Sequence, residues 1–386
     1  MKRIAILGST GSIGVQALEV VKAHPEQLEV VCLTANSNAS LLVEQAKAFS
    51  PDSVVIADEG KYEEVSKALA QYPVKVYAGS EALSQVVQQS SIDMVLSAIV
   101  GYAGLLPTFN ALKAGKAVAL ANKEALVVAG DLIMHTAREN RAPILPVDSE
   151  HSAIFQCLVG EYSPIEKIYL TASGGPFLNL SREQLANVTR EAALKHPQWV
   201  MGSKITIDSA SLMNKGFEVI EAKWLFDLKP EQIEVLVHPQ SIVHSMVQFC
   251  DGSIKAQLGK TDMKLPIRYA FSFPERWCAN DERFSFSELA QLEFRQPDVE
   301  KFPCLALAYE VMRCGGNVPC ILNAANEVAV KAFLNGQIQF TQISCVAEKT
   351  MEQVEFLANP TLDDYVQFNT KARKVANQIV DSLRFA

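Results

Sequence analysis

Short β-branched runs alternate with stretches of helical spacing over residues 3–147. The apolar runs are Ile4–Leu7, Val30–Leu33, Val54–Ala57, Val74–Tyr77, Met94–Ala98, Ala117–Leu120 and Ile144–Val147. Strands separated by helices join one sheet in parallel, so the pattern predicts a doubly wound α/β fold. His24-Pro25, Ser50-Pro51 and Gly115 stop or cap the intervening helices. The period then changes. Ile233, Val235 and Val237 alternate, and Val243–Phe249 and Ser253–Leu258 flank Asp251-Gly252, a hairpin signal that calls for a mixed or antiparallel sheet.

From about Phe273 to Val299 the chain is polar and irregular, with Pro274, Asn280, Asp281 and Pro297, and reads as a linker. Helices are predicted over Pro303–Arg313, Pro319–Leu334 and Thr341 to about Leu357. In a last helix Tyr365, Phe368, Ala372, Val375 and Ile379 recur at steps of three and four, one apolar stripe for a small bundle. No internal repeat stands out.

Composition narrows the class. Of 386 residues, 49% are apolar and 20% charged, which excludes a disordered or fibrous chain. With 35 basic and 43 acidic side chains the formal charge is −8, an unfavourable balance for nucleic acid that leaves small ligands open. Only Ile4–Leu7 precede Gly8, too few apolar residues for a signal peptide, and Met94–Leu112 is broken by Ser97, Gly101, Gly104, Pro107 and Asn110, so no membrane span is expected. The eight cysteines contain no C-x-x-C pair and are expected to be reduced core residues of a cytoplasmic protein.

The first strand runs into Gly8-Ser9-Thr10-Gly11-Ser12-Ile13-Gly14, glycines that let backbone approach a pyrophosphate at a helix N-terminus; a plain tight turn would use the same residues. After the second strand, Thr34-Ala35-Asn36-Ser37-Asn38 holds no acid to bind a ribose 2′-hydroxyl, which favours NADP over NAD. Asp148-Ser149-Glu150-His151 follows a strand at the ligand edge of the sheet. Strand-like alternation would put both carboxylates on one side, whereas Asp148 also suits a helix cap. Helical spacing sets Asn214 and Lys215 on the face of Glu218, although Glu218 and Glu221 also suit plain pairing with Lys215 and Lys223. Carboxylate ligation fits Mg²⁺ or Mn²⁺. Ser173-Gly174-Gly175, Ser209, Ser211, Asn214 and Lys215 supply hydroxyls, an amide, backbone N–H groups and a cation for a phosphate, and Ser-Gly-Gly alone also makes an ordinary turn. His151 and His196 lie in these segments; His24, His135, His238 and His244 read as caps or satisfied core residues. His196-Pro197-Gln198-Trp199-Val200-Met201-Gly202 suits a lid or a surface loop anchored by Trp199.

Six blocks taken in order, Leu7–Gly14, Ala121-Asn122-Lys123-Glu124, Pro146–His151, Thr171–Phe177, His196–Gly202 and Leu212–Gly216, resemble the 1-deoxy-D-xylulose 5-phosphate reductoisomerase family over essentially the whole chain. The resemblance implies an α/β protein with an N-terminal Rossmann-like parallel sheet, a central α+β catalytic domain and a C-terminal helical bundle. The corresponding spans are an NADPH-binding domain at 1–148, a catalytic and dimerisation domain at 149–273, a linker at 274–299 and a helical domain at 300–386. It implies a homodimer that rearranges and reduces the ketose phosphate to 2-C-methyl-D-erythritol 4-phosphate in non-mevalonate isoprenoid synthesis.

By matched position, Asp148, Glu150 and Glu218 would hold Mg²⁺ or Mn²⁺, and Lys123, Ser149, Glu150 and Glu218 would meet the reacting part of the substrate. Ser173, Ser209, Asn214 and Lys215 would take its phosphate, and His151 and His196 would position groups or move protons. NADPH contacts fall on Thr10, Gly11, Ser12, Ile13, Asn36, Ser37, Asn38, Asn122, Glu124 and Gly202. Ser37 stands where a cation would grip the 2′-phosphate, so the expected preference for NADPH is modest. Two rival readings carry different requirements. A dehydrogenase of a phosphorylated semialdehyde would not need the three carboxylates, and a dinucleotide-sensing regulator would bind without turnover.

Overall fold

The computed structural model describes residues 1–199, 201–288 and 291–384. The chain forms two compact units, the first built from residues 1–125, 133–152 and 262–281, the second from 126–132, 153–261 and 282–386.

In the first unit the predicted apolar runs are strands, with ends shifted by a residue or two: β1 Lys2–Leu7, β2 Leu28–Ala35, β3 Ser53–Ile56, β4 Lys75–Ala78, β5 Met94–Ser97, β6 Ala117–Leu120 and β7 Ile144–Pro146. They lie in the order β4-β3-β2-β1-β5-β6-β7, every neighbouring pair parallel. Ile4–Leu7, Val54–Ile56 and Val118–Leu120 are almost wholly buried because helices cover both faces of a parallel sheet. Strand order reverses between β1 and β5, so the glycine loop after β1 opens at the topological switch point. The helix Lys264–Ser272 also belongs to this unit, where Lys2 Nζ donates to Phe271 O at 2.6 Å.

The second unit holds a mixed sheet of β8 Ile165–Ala172, β9 Ile233–Val237, β10 Val243–Phe249 and β11 Ile254–Leu258, in the order β11-β10-β8-β9. The expected hairpin joins β10 to β11, and Gly252 turns it at φ +83°. Leu170 of this sheet shares one core with Phe217, Leu305, Leu322, Ala329 and Ile343 of the helices, so sheet and helical region fold around common apolar contacts.

Two expectations need correction. The helix predicted to reach Leu357 ends at Gln353. Asn317 pulls the following segment into extended backbone, its N–H donating to Leu357 O, its Oδ1 accepting from Leu357 N and its Nδ2 donating to Glu355 O. The cysteines are all free, but Cys250, Cys278 and Cys314 are exposed rather than core residues. Burial pushes the Cys32, Cys304 and Cys320 thiols up to about 12, which makes these three unreactive. Among the described residues no helix is long and apolar enough to cross a membrane.

Candidate active site

The glycine loop is shaped by close backbone approach. Gly8 has φ +81°, and a Cβ there would stand 2.8 Å from Ala98 O; at Gly14 a Cβ would run into Gly8 O. Ser9 is buried and doubly held. Its Oγ donates to Gln45 Oε1 at 2.7 Å, and Gln45 Nε2 donates to Ser9 O at 2.9 Å. Thr34 Oγ1 accepts from Gly8 N at 3.0 Å. Gly11 then begins the helix Ser12–Ala23, whose first-turn amides lack intrahelical acceptors, while Thr10, Ser12 and Ile13 lie along the loop at partly or fully exposed positions. Asn36, Ser37 and Asn38 are exposed after β2, and Asn38 Oδ1 caps the next helix by accepting from Leu41 N at 3.3 Å.

Asn122 proves as much a structural residue as a cofactor candidate. Its Oδ1 caps the helix Lys123–Glu139, and its Nδ2 lies within hydrogen-bond distance of Ile99 O, Gly101 O and Glu124 Oε2. Lys123 begins that helix after β6, and Asp148 follows β7. Because β6 and β7 are parallel neighbours in register at Leu120 and Pro146, their carboxyl ends lie side by side, and Lys123 Nζ pairs with Asp148 Oδ2 at 2.5 Å.

The expected strand-like alternation of Asp148 and Glu150 is not what forms. The strand stops at Pro146 and a helix starts at Ser149. Asp148 therefore stands just ahead of a helix and accepts from Ser149 N at 3.1 Å, while Glu150 sits in the first turn and accepts from Ser149 Oγ at 2.5 Å. His151 is wholly buried, its Nδ1 4.0 Å from Asp148 Oδ2. The first unit thus gathers Lys123, Asp148, Ser149, Glu150 and His151 at one end of its sheet.

The second unit gathers the remainder. Ser173 follows β8 in a turn whose Gly174 and Gly175 have φ +84° and +67°. A Cβ on Gly175 would stand 3.0 Å from Ser209 O, so only glycine lets this turn lie against the end of the helix Ser203–Ala210. Leu212, at φ +59°, turns the chain sharply into the helix Met213–Phe226. On that helix Asn214 Nδ2 donates to Glu218 Oε1 at 2.6 Å and Lys215 Nζ to Glu218 Oε2 at 2.5 Å, the pairing that helical spacing allowed. Lys223 instead donates to Met312 O, and Glu221 is wholly buried.

His196 Nδ1 accepts from Gln198 N at 3.2 Å and from Trp199 N at 2.9 Å, so the ring proton sits on Nε2 and is donated to Ser173 Oγ at 3.0 Å. Ser173 Oγ also accepts from Gly175 N, which aims its own hydroxyl proton elsewhere. The segment His196–Gly202 leans on the turn before β10: Gln198 Nε2 donates to Pro239 O, and the half-buried Trp199 ring lies 6.2 Å from that of His244. Val200 lies outside the described residues, and Gly202 caps the Ser203–Ala210 helix.

Sequence reasoning set aside His244, which touches Trp199, and did not single out Gln45 or Asp208; no local motif marks a residue whose partner is far along the chain. His238 is a satisfied core residue as expected, with Nδ1 donating to Glu293 O and Nε2 accepting from Ile242 N and Val243 N. His135 pairs with Glu139 at the surface.

Three family models match. That described as 1-deoxy-D-xylulose 5-phosphate reductoisomerase covers residues 4–130, its C-terminal domain residues 144–226, and a DXP reductoisomerase C-terminal domain residues 258–375. A 1-deoxy-D-xylulose 5-phosphate reductoisomerase of Bacteroides fragilis is 62% identical over 380 residues, covering 98% of both chains. That of Chloroherpeton thalassium is 52% identical over 384 residues, covering 99% of each. Among solved structures, the reductoisomerase of Zymomonas mobilis in complex with NADPH superimposes with a TM-score of 0.92 at 42% identity, over 99% of this chain and 100% of that one. A DOX-P reductoisomerase in complex with NADPH, fosmidomycin and magnesium gives 0.95 at 40% identity, over 100% of this chain and 99% of that one.

Proposed function

The chain belongs to the 1-deoxy-D-xylulose 5-phosphate reductoisomerase family and is an enzyme that converts this ketose phosphate with NADPH and a divalent metal ion, and from that premise we propose which of its residues do the work. Asp148, Glu150 and Glu218 hold the ion. They fit it, because all three offer carboxylate oxygen, the hard donor that Mg²⁺ and Mn²⁺ take, and because the wholly buried Glu218 is held in place by Asn214 and Lys215. When bound, the ion draws charge from the substrate's carbonyl and hydroxyl oxygens, and NADPH supplies the hydride.

The protein's own groups bind, orient and shield. Lys123, set by its ion pair with Asp148, donates to a substrate oxygen beside Ser149 and Glu150. Buried His151 lies beside the Asp148 carboxylate and is placed for proton transfer. Ser173, Ser209, Asn214 and Lys215 bind the phosphate. The observation that carries this part is the Ser173 hydroxyl: with His196 Nε2 and Gly175 N both donating to its oxygen, its proton is left to an anionic acceptor. Binding energy from that unreacting phosphate then pays for alignment at the reacting carbons. Trp199 covers the substrate and keeps water from the aldehyde.

NADPH takes Thr10, Gly11, Ser12 and Ile13 at its pyrophosphate, Asn36, Ser37 and Asn38 at its adenosine end, and Asn122, Glu124 and Gly202 nearer the nicotinamide. Residues 1–148 then serve as the cofactor domain, 149–273 as the catalytic and dimerisation domain, 274–299 as a linker and 300–386 as the helical domain. The product is 2-C-methyl-D-erythritol 4-phosphate. The functional form is a cytoplasmic homodimer. Strand β11 supports that reading, since it ends its sheet and leaves Ile254 exposed, a strand edge that a second copy would cover.

The deciding assay follows NADPH oxidation with 1-deoxy-D-xylulose 5-phosphate before and after chelation. Turnover is expected only with both substrate and Mg²⁺ or Mn²⁺. Unchanged turnover in fully chelated protein overturns the role given to the three carboxylates. With NADH in place of NADPH, catalytic efficiency should fall modestly, since Ser37 adds no cation; equal efficiency would show that residues 36–38 do not read the 2′-phosphate.

A further inference from the structure

Asp208 is a buried carboxylate one residue before Ser209, and a charge out of water must be met by partners. Its partners include two side chains from different helices. Lys204 Nζ, one turn earlier on the same helix, lies 2.8 Å from Asp208 Oδ2, and Asn326 Nδ2 donates to Asp208 Oδ1 at 2.8 Å from the helix Val318–Leu334. Around Asn326 that helix buries Leu322, Ala325, Val328 and Ala329 together with a second amide, Asn323. An amide in such a setting is costly unless its hydrogen bond does something an alanine could not.

The helix carrying Asn326 is tied to the helix Leu362–Arg384 through the pair of Arg373 with Glu327. Asn323 Nδ2 donates to Glu327 Oε1 at 3.0 Å, and Arg373 Nε donates to Asn369 Oδ1 at 3.0 Å. At the other end of the relay, Ser211 Oγ donates to Asp208 O at 3.2 Å, and the Ser173-Gly174-Gly175 turn lies against Ser209 O. A small rotation of the Ser203–Ala210 helix would therefore displace Ser209 and the Ser173 turn together.

We infer that Asn326 is a positioning residue for the substrate phosphate: through Asp208 it sets the rotation of the helix that presents Ser209. This rests on the reading that Ser173, Ser209, Asn214 and Lys215 bind the phosphate. It gives the helical region a part in the reaction without any contact with substrate.

Steady-state kinetics of Asn326→Ala, Lys204→Met and Ser209→Ala, with the ketose phosphate as substrate and fosmidomycin as the competing phosphonate, test this. In Asn326→Ala and Lys204→Met the substrate KM and the fosmidomycin Ki are expected to rise together by about fivefold or more, with kcat and the NADPH KM held within about twofold. An unchanged substrate KM, or a fall in kcat that equals or exceeds the rise in KM, overturns the inference. If Asn326→Ala does not fold, Lys204→Met decides by the same readings. Ser209→Ala separates the two claims. Should it leave KM and Ki unchanged, the phosphate reading fails and this inference with it; should it raise both while Asn326→Ala and Lys204→Met do not, only this inference falls.

Discussion

Each unit contains a lysine–carboxylate pair at 2.5 Å, and the two pairs are built differently. Lys215 and Glu218 are three residues apart on one helix, with side chains 4% and 0% exposed, and Asn214 adds a second donor to the same carboxylate. Lys123 and Asp148 come from the ends of two parallel strands, with side chains 6% and 15% exposed. The first pair is local and sealed; the second depends on strand order and stays partly open. Desolvation makes removal of one partner more serious in the sealed pair, whereas a partly open pair can recruit water.

Glu218→Gln should have the largest effect. It removes one of the charges proposed to hold the ion and leaves the Lys215 ammonium buried beside a neutral amide, so kcat is expected to fall by about 10²-fold or more and stability by about 3 kcal/mol or less. Near-wild-type kcat at low Mg²⁺ would remove Glu218 from the ligand set, and an unchanged melting temperature would show the sealed pair to be energetically neutral.

Asp148→Asn tests the open pair. Here the metal concentration for half-maximal activity should rise by roughly tenfold to a hundredfold, with a smaller shift in melting temperature than Glu218→Gln produces. A larger thermal loss than in Glu218→Gln would reverse the ranking of the two pairs.

A third difference concerns the segment that leans on the second unit's own turn. With Trp224 and Trp277 replaced by Phe, Trp199 is the sole indole. Its fluorescence should change when a phosphonate analogue and Mg²⁺ are added, and proteolysis near Lys195 should slow. Silence in both, with binding demonstrated separately, would mean that Trp199 does not respond to substrate.

The smallest effect belongs to His238. Burial holds its ring below the usual imidazole range, although the bond to Glu293 O works the other way. The unfolded chain therefore takes up this proton more readily, so the contribution is complete above about pH 6.5 and is lost as pH falls from there towards the lowered folded-state value. Wild-type protein should lose more melting temperature between neutral and mildly acidic pH than His238→Gln. Equal losses would assign the acid sensitivity to other groups.

Legibility followed the same line between local and distant. Asn214, Lys215 and Glu218 could be placed on one face from helical spacing, and the pairing is there. The carboxylates of Asp148 and Glu150 were expected from strand alternation, yet a helix beginning at Ser149 presents them, because Pro146 ends the strand and Ser149 opens the next element. The tautomer of His196 could not be read at all, since it depends on two backbone amides and a serine from the other side of a turn.

The sequence by itself determined the succession of strands and helices along the chain, the glycine loop after β1, the hairpin at Asp251-Gly252 and the residue types of the polar cluster in each unit, because period, turn chemistry and short-range pairing act over a few residues. Only the tertiary structure decided that Lys123 meets Asp148, that Gln45 clamps Ser9 and that Asn326 reaches Asp208 from 118 residues away. Those contacts follow from strand order and helix rotation. Both are settled by burying apolar surface across the whole unit, and no local run of residues encodes them.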